Sequence, residues 1–339
     1  MKNARVDQHL DVPFDFPVIF TDHLFSPENS VLHSALNRLD ETRPLRAMLY
    51  VDAGAESANP GLAGLSTRAA AWCRKWNVTL AAPPRIVSGG EPVKNDWPAT
   101  QALIVEMLEL RLDRHAFVII AGGGALLDAI GTFSPPFAVL NDFQFLPTLA
   151  DREWRGGIAE ALKVAIIRER PFFDFLCENT AAFRDRGQGP MRHLIQRCAE
   201  LHLDHIRTGG DPFEMGHARP LDFGHWSAHK LELLSAFRIS HGDAVAAGVA
   251  LDSAYAALQG WIRKDDFLRI HRALAQCGFP LWYPEMEDPA LLDGLREFQE
   301  HLGGELCVTF PNGLGNRREE GHVETAAIRA SIQHLKQLV

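Results

Sequence analysis

Six side chains in the middle of this 339-residue sequence have the types and spacing of a metal-assisted site: Glu160, Lys163, Asp222, His225, His229 and His241. Glu160 and Lys163 sit three residues apart in Gly157-Ile158-Ala159-Glu160-Ala161-Leu162-Lys163, which puts a carboxylate and an ammonium on one helix face. Asp222-Phe223-Gly224-His225 leads to His229 one turn further on, and His241-Gly242-Asp243-Ala244 opens the next helical pattern. One carboxylate and two imidazoles make a catalytic zinc set that keeps one position open to substrate oxygens. Each residue alone has a plainer explanation. An i, i+3 Glu–Lys pair is more often on the surface, and any one of 15 histidines serves more often in core or surface packing. Only the combination points to a metal, with a glycine directly before His225 and another directly after His241.

A second set of residues could hold a nucleotide. The apolar run Phe117-Val118-Ile119-Ile120-Ala121 enters Gly122-Gly123-Gly124, and a helix bearing Asp128 follows. Glycines let a backbone approach a pyrophosphate, and a helix N-terminus offers N–H donors with partial positive charge. A tight strand-to-helix turn explains the same three glycines equally well, since the run is not G-x-G-x-x-G. Asp52 ends another apolar run, where a ribose hydroxyl could be held. Glu91 and Lys94, in Gly90-Glu91-Pro92-Val93-Lys94, offer a carboxylate and an ammonium three residues apart, although a solvated surface pair is the commoner case.

The elements that must position these groups follow from periodicity. Ala47-Met48-Leu49-Tyr50-Val51 and Phe117–Ala121 read as buried strands, with a helical stretch from Leu62 to Trp76 between them. Strands alternating with helices imply a parallel sheet covered on both faces. From about Asp151 the texture turns helical: Ile158 to Ile167, Met191 to Ile206, His225 to Phe237, Ala244 to Leu258 and Asp265 to Cys277. The expected fold is therefore α/β: a Rossmann-like parallel-sheet N-terminal domain over 1–150, then an all-helical metal- and substrate-binding domain over 151–339.

Composition narrows the partners. A net charge of -9 gives no electrostatic reason to bind nucleic acid or an anionic membrane. A small phosphorylated substrate stays compatible with it through a local cluster of cations. The five cysteines are scattered with no C-x-x-C pair, which reads as reduced thiols. No apolar window is long enough to span a bilayer, and the N-terminal segment carries early acidic residues in place of an apolar leader. A soluble, cytoplasmic protein is expected.

Taken in order, these motifs resemble the 3-dehydroquinate synthase family of sugar-phosphate cyclases. G-G-G-A-L-L-D resembles its NAD loop, G-I-A-E-A-L-K its metal-and-lysine helix, and G-H-W-S-A-H and H-G-D-A-V-A-A-G its two histidine motifs. The wording around them looks most like the branch found in bacterial ebo gene clusters. The resemblance implies that Glu160, His225 and His241 ligate Zn2+, with Co2+ or another divalent metal as substitutes. It implies that Asp52, Glu91, Lys94, Gly122, Gly123, Gly124, Asp128 and Thr148 hold NAD. Lys163, Arg219 and His229 would meet the hydroxyls and phosphate of a small phosphorylated sugar, with Asp222 beside them where the family has asparagine. The implied reaction oxidises an alcohol, eliminates phosphate, returns the hydride and closes a carbocycle, in a homodimer.

Departures from the family are equally specific. The family carries several tens of residues between its glycine-loop helix and the next strand, including lysines that bind phosphate and substrate. Here Gly131-Thr132-Phe133 joins the two sides directly. His202 stands where a lysine is usual, and Gly315-Asn316 replaces a late Gly-Lys, with Arg317 next to it. These losses imply a weakened cyclase. Iron-type alcohol dehydrogenases share the architecture, but they place aspartate and histidine four residues apart on the first metal helix. Here Glu160 is followed by Lys163, with Val164 at the fourth position. A degenerate binding protein that has lost catalysis is the third reading.

Overall fold

The computed structural model describes residues 7–9, 15–40, 42–57, 64–90, 93, 96–131, 135–208 and 220–338. The chain divides into two compact units, Met1–Thr148 and Leu149–Val339.

The first unit is organised around β2 (Leu45–Asp52), whose run from Ala47 to Asp52 is entirely buried. A strand covered on both faces needs an unbroken apolar run, and Ala47 to Val51 supplies one. Along one edge β2 pairs in parallel with β3 (Val78–Leu80) and then β4 (Arg85–Val87); β5 (Phe117–Ala121) pairs in parallel along the other. The two-residue period splits the side chains between faces. Leu49 and Val51 pack with Leu65, Ala69 and Trp72 from the helix Leu65–Lys75. Met48 and Tyr50 pack with Leu103 from the helix Trp97–Glu109. β1 (Val18–Thr21) and β6 (Val139–Asp142) form a separate parallel pair. Among the described residues, β5 and β6 share no backbone ladder, so the sheet is interrupted between them.

The second unit is helical, with one addition that the sequence did not signal: an antiparallel hairpin of β7 (Val308–Pro311) and β8 (Arg317–Glu320). Its centre is the helix His241–Leu258, buried without a break from Gly242 to Ala256 except for partly covered Asp243. An alanine- and valine-rich helix with no polar face must be surrounded. The helices Asp151–Arg168, His225–Leu234, Lys264–Gln276 and Thr325–Gln337 surround it. No helix among the described residues is long and apolar enough to cross a membrane.

Two glycine contacts set how closely the site-bearing helices approach. A Cβ on Gly242 would lie 2.4 Å from the Cα of Gly156, so the helices Asp151–Arg168 and His241–Leu258 cross backbone to backbone. Gly224 has φ +81°, and a Cβ there would stand 2.8 Å from the backbone nitrogen of Val249. It needs glycine for both reasons.

Candidate metal centre and nucleotide loop

Three helices deliver the candidate metal donors. Glu160 sits at mid-length on Asp151–Arg168, one turn past Gly156. His225 is the first residue of His225–Leu234, fixed by the left-handed Gly224 before it. His241 is the first residue of His241–Leu258, whose N-cap is the Ser240 hydroxyl accepting from the Asp243 N–H. Arg155 ties the first helix to the third, its Nη2 donating to Asp243 Oδ1 at 2.8 Å and Oδ2 at 3.1 Å.

The donors converge. Glu160 Oε1 is 3.7 Å from His225 Nε2 and 3.5 Å from His241 Nε2. One ligand atom from each of the three residues lies within 4.8 Å of the others. Ligands about 2.1 Å from a tetrahedral zinc stand roughly 3.4 Å apart, so this triad fits a divalent ion with little adjustment. The other Glu160 oxygen, Oε2, accepts from Lys163 Nζ at 2.7 Å, and Lys163 is only 5% exposed. A lysine so covered needs its partner carboxylate.

Charge is distributed unevenly over the cluster. Burial and the Lys163 ammonium push His225 down to about 4, against the pull of Glu160, so the ring is neutral with Nε2 free to ligate. Its Nδ1 faces the Phe223 carbonyl at 3.2 Å, which fixes the ring by its other nitrogen. Hydrogen bonds to Glu160 and Glu232 push His241 up to about 9. Burial would raise Glu160, but His241, Lys163 and His225 outweigh it and hold the carboxyl far below its ordinary range. The Glu160 carboxylate therefore stays anionic beside the neutral His225 ring, with its charge compensated by Lys163 and His241.

Sequence reasoning missed Glu232. Its Oε2 lies 3.3 Å from His241 Nδ1, the carboxylate–histidine arrangement that orients a metal-ligating ring. The signal was available: Glu232 follows His225 by seven residues and His229 by three, so all three share a helix face. His229, Glu232 and His241 form a second group with donor atoms within 4.8 Å. That group reuses His241, so Glu232 is better read as the orienting partner of His241. His229 is exposed, with its ring centroid 5.3 Å from that of His225 and 6.0 Å from that of His241, at the rim of the cluster. Asp222 closes a short 3-10 turn ahead of Gly224. Arg219 lies outside the described residues. Arg317 donates to Glu319 at 3.0 Å, and the N–H of Gly315 donates to the Ile166 carbonyl at 2.7 Å.

In the first unit, β5 ends at Ala121 and the helix Gly124–Gly131 begins after two intervening residues. The Gly123 carbonyl accepts the first helical N–H groups, from Leu126 at 3.2 Å and Leu127 at 3.3 Å. The three glycines have different reasons. A Cβ on Gly122 would stand 2.6 Å from Cβ of Asp52, so packing requires glycine there. A Cβ on Gly123 or Gly124 would meet nothing within 4 Å. Packing does not demand those two, whereas close approach by a phosphate would. Asp52, at the end of β2, is 7% exposed and accepts from the Gly54 N–H at 2.7 Å through Oδ1. Its Oδ2 lies where a Cβ on Gly89 would be, at 1.7 Å. Thr148 is half-buried at the end of the 3-10 helix Phe143–Thr148, donating to the Phe145 carbonyl at 2.6 Å. Glu91 and Lys94 lie outside the described residues, as does the side chain of Asp128.

Known proteins resemble this chain in part of its sequence and in its fold. Residues 157–298 match the family model described as 3-dehydroquinate synthase C-terminal. A curated 3-dehydroquinate synthase from Aliivibrio fischeri (strain MJ11) is 30% identical over 209 residues, 61% of this chain. That alignment spans 57% of the relative's length. Among solved structures, 2-epi-5-epi-valiolone synthase from Streptomyces hygroscopicus subsp. jinggangensis 5008, with NAD+ and Zn2+ bound, aligns with a TM-score of 0.83 at 22% identity. The alignment covers 99% of this chain and 100% of that one. A 2-deoxy-scyllo-inosose synthase complexed with carbaglucose-6-phosphate, NAD+ and Co2+ aligns with a TM-score of 0.71 at 17% identity, over 94% of this chain and 96% of that one. At such identities these two structures establish the fold.

Proposed function

We infer that this chain is a member of the dehydroquinate synthase family of sugar-phosphate cyclases, a reading that the family match, the curated relative and the shared fold support. Within that family we propose an NAD- and zinc-dependent lyase that eliminates phosphate from a small phosphorylated sugar and closes a carbocycle, most akin to the ebo-cluster branch. The observation that carries it is the convergence of Glu160, His225 and His241 with a buried lysine held at 2.7 Å on the same carboxylate. A divalent cation, Zn2+ or Co2+, would polarise a substrate hydroxyl or carbonyl, while NAD would take up and return a hydride.

The chain's own residues would do the rest. Lys163 fixes the Glu160 carboxylate and offers further donors of its ammonium to substrate oxygens. His229, at the rim, can donate to or accept from a phosphate or hydroxyl, with Asp222 and Arg219 as its companions. Gly122, Gly123, Gly124, Asp52, Glu91, Lys94, Asp128 and Thr148 would form the NAD site, and the Asp52 carboxylate would disfavour the extra phosphate of NADP. A homodimer is the assembly expected.

Weakened activity is part of the same proposal. Gly131 and Val139 are joined by seven residues where the family's additional segment would enter, and among the described residues β5 and β6 share no backbone ladder. Loss of its lysines removes charge-assisted contacts worth about 1.5–3 kcal/mol each. Two such losses, adding in part, lower kcat/KM on the order of 10²- to 10⁴-fold.

The iron-type alcohol dehydrogenase reading is disfavoured by Lys163, which spends its ammonium on the metal carboxylate, and by Val164 at the position of the second ligand. The distinguishing assay loads the chain with zinc and NAD and offers simple alcohols or sugar phosphates, including 3-deoxy-D-arabino-heptulosonate 7-phosphate. A cyclase releases phosphate without net NADH. Accumulating NADH from simple alcohols would overturn the reading, and binding of both cofactors with no turnover would mark a degenerate homologue.

A further inference from the structure

The helix His241–Leu258 is apolar except at a few positions, yet it buries one carboxylate completely: Asp252, at 0% exposure. Burying a carboxyl in such surroundings is costly unless hydrogen bonds compensate. Asp252 accepts two. Its Oδ2 takes the backbone N–H of Gly224 at 3.0 Å, and its Oδ1 takes the indole N–H of Trp226 at 2.9 Å. These donors belong to the residues immediately before and after His225. Between them the backbone is already constrained, since Gly224 is left-handed and the site of a Cβ on Gly248 lies 2.1 Å from its carbonyl oxygen.

We propose that Asp252 is the positioning residue for His225: it clamps Gly224 and Trp226 from behind, so that the imidazole between them presents Nε2 to Glu160. Two anchors fix the ring. The Phe223 carbonyl faces its Nδ1 at 3.2 Å, and the Asp252 clamp holds the turn that carries it. Asp252 never touches the metal donors themselves. An otherwise apolar helix keeps a carboxylate here because a backbone N–H and an indole N–H would both be left unsatisfied without it. The proposal rests on reading His225 as a metal ligand and goes beyond it by naming what sets that ligand's direction.

The test uses the full chain stripped of metal, with Asp252→Asn, Trp226→Phe and the double variant beside the unaltered protein. Circular dichroism confirms folding, competition against a chelator gives zinc affinity, and the visible absorption of the Co2+ form reports ligand geometry. Asparagine keeps one acceptor but points an N–H2 at one of the two donors. Asp252→Asn should therefore weaken zinc binding on the order of 10- to 100-fold and alter the cobalt spectrum. Trp226→Phe should weaken it less, and the double variant should lose less than the two single losses multiplied together, because both act through one clamp. A merely structural role would lower unfolding stability but leave zinc affinity and the cobalt spectrum of the folded variants unchanged. That result overturns the proposal. Should Asp252→Asn fail to fold, Trp226→Phe decides alone: a wild-type cobalt spectrum refutes the clamp. Absence of zinc binding by the unaltered chain refutes the metal reading and this one together, whereas zinc binding that no clamp variant disturbs refutes only this one.

Discussion

Gly242→Ala is the smallest change that should disturb the metal centre without touching a donor atom. Its new methyl would stand 2.4 Å from Gly156 Cα and 3.2 Å from Gly156 N, where ordinary contact begins at 3.4 Å. Both neighbours are backbone, so no side chain can swing aside. The helices Asp151–Arg168 and His241–Leu258 must part by about 1 Å, and overpacking of this kind costs about 1–3 kcal/mol. His241 is adjacent to the substitution and Glu160 lies one turn beyond the contact, so their present 3.5 Å separation opens as well. Zinc affinity should fall on the order of tenfold or more. The reverse substitution is the control. A methyl on Gly156 meets only Gly242 Cα at 3.7 Å, so Gly156→Ala should be neutral or stabilise the helix by up to about 1 kcal/mol. Urea denaturation of the metal-free proteins gives the stabilities, and chelator competition gives the affinities. Equal stability and equal zinc affinity for Gly242→Ala and Gly156→Ala would refute the claim that this crossing sets the site.

Four further outcomes follow. His225→Ala and His241→Ala should abolish stoichiometric zinc by metal analysis while His229→Ala retains it; a zinc-free His229 variant would make that residue a ligand. Zinc at a thousandfold excess over its Kd should raise unfolding stability by about 4 kcal/mol, a gain that a chelator removes and that calorimetry reads. Gly123→Val should weaken NAD binding with little change in stability, whereas Gly122→Ala should destabilise the first unit because its methyl would stand 2.6 Å from Asp52 Cβ; calorimetric titration and melting curves separate the two. NAD should bind more tightly than NADP, and Asp52→Asn should narrow that difference unless the carboxylate has no part in it.

Much of the architecture was legible because it rests on long apolar patterns. Phe117–Ala121 reads as a strand from composition alone, and β2 extends the Ala47–Val51 run by two residues on its N-terminal side and one on its C-terminal side. The short strands were not legible. β3 and β4 have three residues each, and β4 is Arg85-Ile86-Val87 with two of them exposed, so neither shows an apolar period. The hairpin strand β8 reads Arg-Arg-Glu-Glu and owes its form to pairing with buried β7. At the candidate site, the motifs announced Glu160, His225 and His241 by type and order, but their meeting depends on Gly156 lying against Gly242 and Gly248 against Gly224. No spacing rule encodes such tertiary contacts. Glu232 and Asp252 escaped notice for different reasons: a lone glutamate in a short helix carries no motif, and the aspartate sits within an apolar helix whose period gives it no face.

The central claim is tested most directly by measuring inorganic phosphate released from a panel of six- and seven-carbon sugar phosphates, with zinc and NAD supplied, by the unaltered chain and by His225→Ala. A sugar-phosphate cyclase predicts slow release from at least one substrate, dependent on both cofactors, without net NADH, and lost in the variant. Release that His225→Ala leaves unchanged, or no release from any substrate by protein shown to bind zinc and NAD, would contradict it.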